Sequence, residues 1–111
     1  MVLTDSEGGD PAWLMDEFSH VWETPWSYKT AADFTCNQDR GSRSNPLFVL
    51  DHFLEDPFPG PQLAETVNRD PLLLDRMKQC QAESGSLPNF PTVDFYDIGD
   101  LFAAVDAMNG L

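Results

Sequence analysis

Four short apolar stretches along the chain predict β-strands. Residues 47–50 read Leu-Phe-Val-Leu without interruption, which is typical of a strand covered on both faces, as in a parallel sheet under helices. The other three stretches are rich in β-branched and aromatic residues and lie at residues 2–4, 20–24 and 93–96. Four strands are therefore expected.

Segments with helical spacing separate these strands. Asp10-Pro11 and Asp70-Pro71 each place a capping aspartate before a proline at the first helical position. Residues 30–33 have the spacing of a capping box with Asp in place of Glu. The predicted helices span residues 11–19, 31–34, 61–67, 71–85 and 101–108.

This order contains no hairpin signal, so the sequence predicts an α/β fold with four parallel strands and helical connections. Right-handed crossovers place the carboxyl ends of parallel strands on one face. The polar residues expected to gather on that face are Asp5, Glu23, Asp51, His52 and Asp94.

Asp94 is the first candidate for chemistry because it interrupts an apolar run. A carboxylate inside an apolar strand is costly unless something pairs with it. A structural aspartate satisfied by backbone amides explains the same pattern equally well, so both interpretations stay open at this point.

Three motifs carry a family resemblance. They are Val-Asp-Phe-Tyr-Asp-x-Gly-Asp-Leu-Phe at residues 93–102, Asn-Pro-Leu-Phe-Val-Leu-Asp-His-Phe-Leu at 45–54 and Val-Trp-Glu-Thr-Pro-Trp-Ser at 21–27. With them, nearly the whole chain resembles the C-terminal part of a phospholipase C-like phosphodiesterase, of the phosphatidylinositol-specific X-domain type in its microbial branch. The resemblance implies a partial TIM-type (β/α)8 barrel, with residues 1–111 as its C-terminal half.

The resemblance also implies a function. Family members hydrolyse phosphoinositides or similar phosphodiesters with two histidines on early strands, which this chain does not supply, so we expect it to be inactive alone. By the same resemblance, Asp94 orients a histidine from the missing half and Glu23 contacts the substrate's sugar hydroxyls. Members are commonly secreted, although residues 1–15 lack a signal-peptide pattern and no apolar run approaches the ~20 residues of a membrane span.

The length and the charge of the chain limit the classes of function that it can have. The chain has 111 residues, which is room for one domain, and 6 basic against 19 acidic residues give a formal charge of −13. Such a charge repels nucleic acids and anionic lipid surfaces. No cofactor or metal motif is present, so we expect no cofactor and no metal.

The alternative to an enzyme fragment is a non-enzymatic acidic half-barrel that serves as an interaction module. The strand edges at residues 2–4 and 93–95 are open in a half-barrel, so we expect the chain to self-associate into a closed barrel.

The positions of the cysteines and histidines favour structural roles for these residues. Cys36 and Cys80 each precede a predicted strand by about ten residues, which favours a disulfide over two buried free thiols, and their spacing argues against zinc. Asp51 and His52 are adjacent on a strand and so point to opposite faces, which favours a hydrogen-bonded structural role for His52. His20 begins a strand and belongs to the opposite end of the sheet.

Four aromatic residues, Trp13, Trp22, Trp26 and Tyr28, are concentrated near the second strand. Core packing is the favoured interpretation, and stacking on a sugar ring or contact with a membrane interface is the alternative.

Overall fold

The computed structural model describes residues 1–111 and contains five strands and three α-helices. The strands are β1 (Val2–Thr4), β2 (Leu14–Asp16), β3 (Val21–Glu23), β4 (Leu47–Asp51) and β5 (Phe90–Thr92). The helices are α1 (Pro61–Val67), α2 (Leu72–Ser84) and α3 (Leu101–Met108), with single 3₁₀ turns at Glu17–Ser19 and Ala31–Asp33. None of the helices is long and apolar enough to cross a membrane.

All strand pairings are parallel, which confirms the predicted α/β class. The strands nevertheless form two separate sheets, β1-β2 and β3-β4-β5, so a partial barrel is not confirmed. Residues 39–41 run antiparallel along the outer edge of β3, where Glu23 N–H donates to the Arg40 carbonyl at 3.0 Å and Trp22 bridges to Gly41. Because this segment occupies the edge, β2 and β3 do not pair.

Gly41 is required for that edge contact. Its φ is +78°, and a Cβ at this position would lie 2.1 Å from the carbonyl oxygen of Val21. Only glycine tolerates both the left-handed backbone and so close an approach.

Two predicted elements are wrong. The helix predicted for residues 11–19 is replaced by β2 and a 3₁₀ turn, because residues 14–16 pair in register with β1 (Val2 opposite Leu14). The last strand is Phe90–Thr92 rather than residues 93–96, and Phe95 has a left-handed φ of 53°, which a strand excludes. Asp94 therefore lies in a loop after β5.

The other helices and the cap are confirmed. Helices α1, α2 and α3 form where they were predicted, and α2 ends at Gly85 in the left-handed conformation. Asp33 accepts the Thr30 N–H at 3.0 Å, and the expected capping box between Thr30 and Asp33 is present.

The main core lies between the three-stranded sheet and helices α2 and α3. Trp22 and Phe48 are opposite each other in the β3–β4 register and stack with ring centroids 3.9 Å apart. The predicted Cys36–Cys80 disulfide is present and buried in this core, so the free-thiol alternative is wrong. The core cluster consists of Trp22, Cys36, Phe48, Leu50, Leu73, Met77, Cys80 and Ala104.

Candidate active site at the carboxyl ends of the strands

The site begins with strand alternation. Trp22, Phe48 and Leu50 point toward the helices and pack in the core. Side chains alternate along a strand, so Glu23 and Asp51 point to the opposite face of the sheet. They end β3 and β4, and both are buried, with 4% and 6% of their surface exposed.

Glu23 is paired. Its carboxylate accepts a hydrogen bond from Arg40 Nε, and Arg40 also lies 4.0 Å from Asp5 and above the Phe18 ring at 4.5 Å. The hydrogen bond to Glu23 is the main cause that raises the pKa of Arg40. Residues 39–41, which cover the edge of β3, therefore also supply the arginine that pairs with the Glu23 carboxylate.

Asp51 is not paired. Its backbone N–H donates to Thr24 Oγ1 at 3.0 Å, but its Oδ2 is buried without a hydrogen-bond partner. Burial is the main cause that raises the pKa of Asp51 to about 7, and the negative charge of Glu23 is the second cause. The positive charges of Arg40 and Arg76 lower this pKa in part. Asp51 therefore exchanges a proton near neutral pH.

His52 is fully buried on the helix side of the sheet. Its Nε2 lies 2.8 Å from the Val67 carbonyl, and its Nδ1 lies 3.2 Å from Arg76 Nη1. Since arginine can only donate, Nδ1 accepts and Nε2–H donates, which sets a neutral tautomer. Burial lowers the pKa of His52 to about 4, so the ring is a structural group without a free nitrogen.

Arg76 is the residue that sequence reasoning missed. It is 5% exposed, donates to the carbonyls of Asp51 and Thr35 at 2.6 and 2.8 Å, and lies over the Phe34 ring at 4.1 Å. Burial is the main cause that lowers its pKa to about 10. The available signal was its position among the apolar residues of α2, three after Leu73, where a solvated charge is unexpected.

Asp94 is less buried than Glu23 and Asp51. It follows β5 by two positions and is half-buried, and its backbone carbonyl accepts from Asn68 Nδ2 at 2.8 Å. Burial raises the pKa of its carboxyl, whose Oδ2 has no hydrogen-bond partner. Of the predicted site residues, the structure thus buries Glu23 and Asp51 at the ends of their strands and places Asp94 in the loop that follows β5.

The remaining candidates divide between core and surface. His20 is exposed just before β3, at the opposite end of that strand. Trp22 and Tyr28 are buried, as core packing predicts, whereas Trp13 and Trp26 are 66% and 44% exposed.

An acidic depression lies beside β1 and β2. It has a volume of about 550 Å³ and is lined by Asp5, Ser6, Glu7, Gly8 and Asp16. Asp5 also faces Arg40, which connects the depression to the Glu23 carboxylate. Carboxylates and hydroxyls of this kind accept hydrogen bonds from a hydroxyl-rich ligand.

Comparison with known proteins identifies one family. The family model described as PI-PLC X 1, for the X domain of phosphatidylinositol-specific phospholipase C, matches residues 2–109. No curated protein and no solved structure gives a significant match.

Proposed function

Because the chain belongs to the phosphatidylinositol-specific phospholipase C X-domain family, we propose that it is the C-terminal part of a phosphoric diester hydrolase. Its substrate is a phosphoinositide or a similar phosphodiester with a polyhydroxylated head group. The chain has no turnover by itself.

The observation that carries this proposal is the buried Glu23–Asp51 pair at the carboxyl ends of neighbouring parallel strands. Active sites of parallel α/β folds are built at these ends. A carboxylate there accepts hydrogen bonds from sugar hydroxyls, and the low-dielectric surroundings strengthen those bonds. Glu23 is the proposed contact to the head group, with Arg40 holding its carboxylate in place.

The histidines explain why the chain is inactive alone. The family reaction needs one group to take a proton from the attacking hydroxyl and another to protonate the leaving alcohol. His52 has both ring nitrogens engaged, and His20 precedes β3 at the far end of the strand. A second polypeptide region therefore supplies the two histidines, and Asp94 orients one of them.

Turnover on phosphatidylinositol tests the first part of the proposal. The purified chain should give no product above a buffer blank. Turnover that disappears in Asp94→Asn but persists in Asp106→Asn, which changes an exposed carboxylate of α3, would contradict the proposal.

Head-group binding tests the second part. Titration with glycerophosphoinositol should shift the backbone amide resonances of Glu23, Thr24 and Asp51. Glu23→Gln should weaken these shifts, whereas Glu83→Gln, on the exposed side of α2, should leave them unchanged. If the three resonances stay in place at millimolar ligand, Glu23 is not a substrate contact.

A non-enzymatic, self-associating module is the second candidate function. It is favoured by the open face of the three-stranded sheet, where Leu47 and Val49 are half-exposed and Phe90 is 37% exposed. Two copies that bury this face would use the isologous arrangement of most small homo-oligomers. In either case the buried disulfide suits an oxidising compartment, and we propose that the parent protein is secreted.

A further inference from the structure

We propose that Asn68 is a positioning residue that holds the loop carrying Asp94 in its working conformation. The inference rests on the role proposed for Asp94. Asn68 follows α1 directly and is fully buried, with 0% of its surface exposed. Its side-chain Nδ2 donates only to one loop, while its Oδ1 is buried without a hydrogen-bond partner.

Three hydrogen bonds join Asn68 to residues 94–100. Its Nδ2 group donates to the Asp94 carbonyl at 2.8 Å and to the Ile98 carbonyl at 3.2 Å. Its own carbonyl accepts the Asp100 N–H at 2.8 Å. One residue therefore holds both ends of the loop, and no hydrogen bond from another side chain reaches the Asp94 backbone.

The loop needs such bracing because its backbone is strained. Phe95 has a φ of +53°, a left-handed conformation that is unfavourable for a non-glycine residue. The two carbonyls that Asn68 binds flank this residue on either side. Gly99 makes the close approach possible, because a Cβ there would lie 2.3 Å from the Asn68 carbonyl oxygen.

Asn68 also follows, along the backbone, a chain of buried hydrogen bonds that begins at the backbone carbonyl of Asp51. Arg76 donates to the Asp51 carbonyl and to His52, and His52 donates to the carbonyl of Val67, the residue before Asn68. The chain links the end of β4 to the loop after β5 through α1 and α2.

The first test compares Asn68→Ala with Val67→Ala. Both truncate fully buried neighbours at the end of α1, but only Asn68→Ala removes the donors to the loop. Titration of the Asp94 carboxyl by ¹³C NMR should show its pKa falling toward the ordinary aspartate value in Asn68→Ala, because the freed loop exposes the carboxyl. The pKa should stay raised in Val67→Ala, which makes the readout specific for position rather than for stability.

The second test leaves Asn68 intact and pushes the loop away from it. Gly99→Ala introduces the clash with the Asn68 carbonyl, whereas Gly85→Ala adds a methyl group at a similar positive φ with nothing within 4 Å. Gly99→Ala should reproduce the change in the Asp94 titration and remove the contact between the Tyr96 and Phe102 rings, whose centroids lie 6.3 Å apart. Gly85→Ala should do neither. If Asn68→Ala does not fold, the comparison of Gly99→Ala with Gly85→Ala still tests the positioning role of Asn68.

An Asp94 titration that is unchanged in Asn68→Ala and Gly99→Ala would overturn the proposal. An equal change in the two control variants would overturn it as well, because the shift would then follow general loosening. These measurements need no turnover, so their outcome is separate from that of the phosphodiesterase assay. If the phosphodiesterase role is excluded but the Asp94 titration responds as expected, Asn68 positions the loop for a different function.

Discussion

Replacing Asp51 with asparagine should change how the stability of the protein depends on pH. Burial and the charge of Glu23 raise the pKa of Asp51 from 3.8 to about 7. A carboxyl whose pKa is raised by folding binds its proton more tightly in the native state. Its contribution to stability is therefore complete below pH 3.8, declines as the pH rises to about 7, and is constant above that pH.

The size of this effect follows from the change in pKa. The difference between 3.8 and about 7 corresponds to a loss of about 4 kcal/mol, at about 1.4 kcal/mol for each pKa unit. That figure is an upper limit, because partial solvent access screens the charge. We expect about 2 kcal/mol. Asparagine cannot ionise, so Asp51→Asn should gain this amount relative to wild type between pH 4 and pH 8.

Urea unfolding at a series of pH values measures the difference. The amide introduces an unpartnered donor, but that cost is nearly independent of pH and cancels when ΔΔG at pH 4 is subtracted from ΔΔG at pH 8. His52, whose pKa is lowered to about 4, contributes stability as the pH rises and cancels in the same way. Asp106→Asn serves as the exposed control. A ΔΔG that is the same at both pH values would refute the argument that Asp51 is protonated in the native state.

Two further predictions concern the whole chain. The double variant Cys36→Ser/Cys80→Ser should lose about 4 kcal/mol of stability, from the chain entropy of a 44-residue separation, and peptide mapping without reduction that recovers both thiols free would contradict the bridge. The wild-type chain should self-associate through the open face of the three-stranded sheet, more strongly at high salt because the charge of −13 is then screened. Sedimentation that shows a monomer at high salt and high protein concentration would exclude this, and Val49→Glu should weaken any association that is found.

Much of the local structure was determined by the sequence. The uninterrupted run at residues 47–50 became the central strand β4, and the prolines and caps placed α1 and α2 where they were predicted. These signals act within a few residues, at a proline in the first helical turn or a glycine after the last one. The same Asp-Pro signal at residues 10–11 was overridden where residues 14–16 pair with β1. The opposite orientation of Asp51 and His52 followed from strand alternation alone.

Pairing between strands was decided only by the tertiary structure. Residues 14–16 were predicted as helix but pair with β1, and residues 39–41, for which no strand was predicted, cover the edge of β3. The apolar pattern says which side chains avoid water, yet it does not say which backbone edge satisfies their hydrogen bonds. For this reason four predicted strands in one curved sheet became five strands in two sheets.

The candidate site divides in the same way. Glu23 and Asp51 could be placed at the ends of their strands from the sequence, and the structure brings them together as parallel strands require. Asp94, by contrast, was predicted inside a strand and lies in a loop held by Asn68, a residue 26 positions earlier in the chain. Burial, charge and hydrogen bonding at such positions depend on partners that are distant in sequence, so only the folded chain decides which carboxylate is paired and which one keeps its proton.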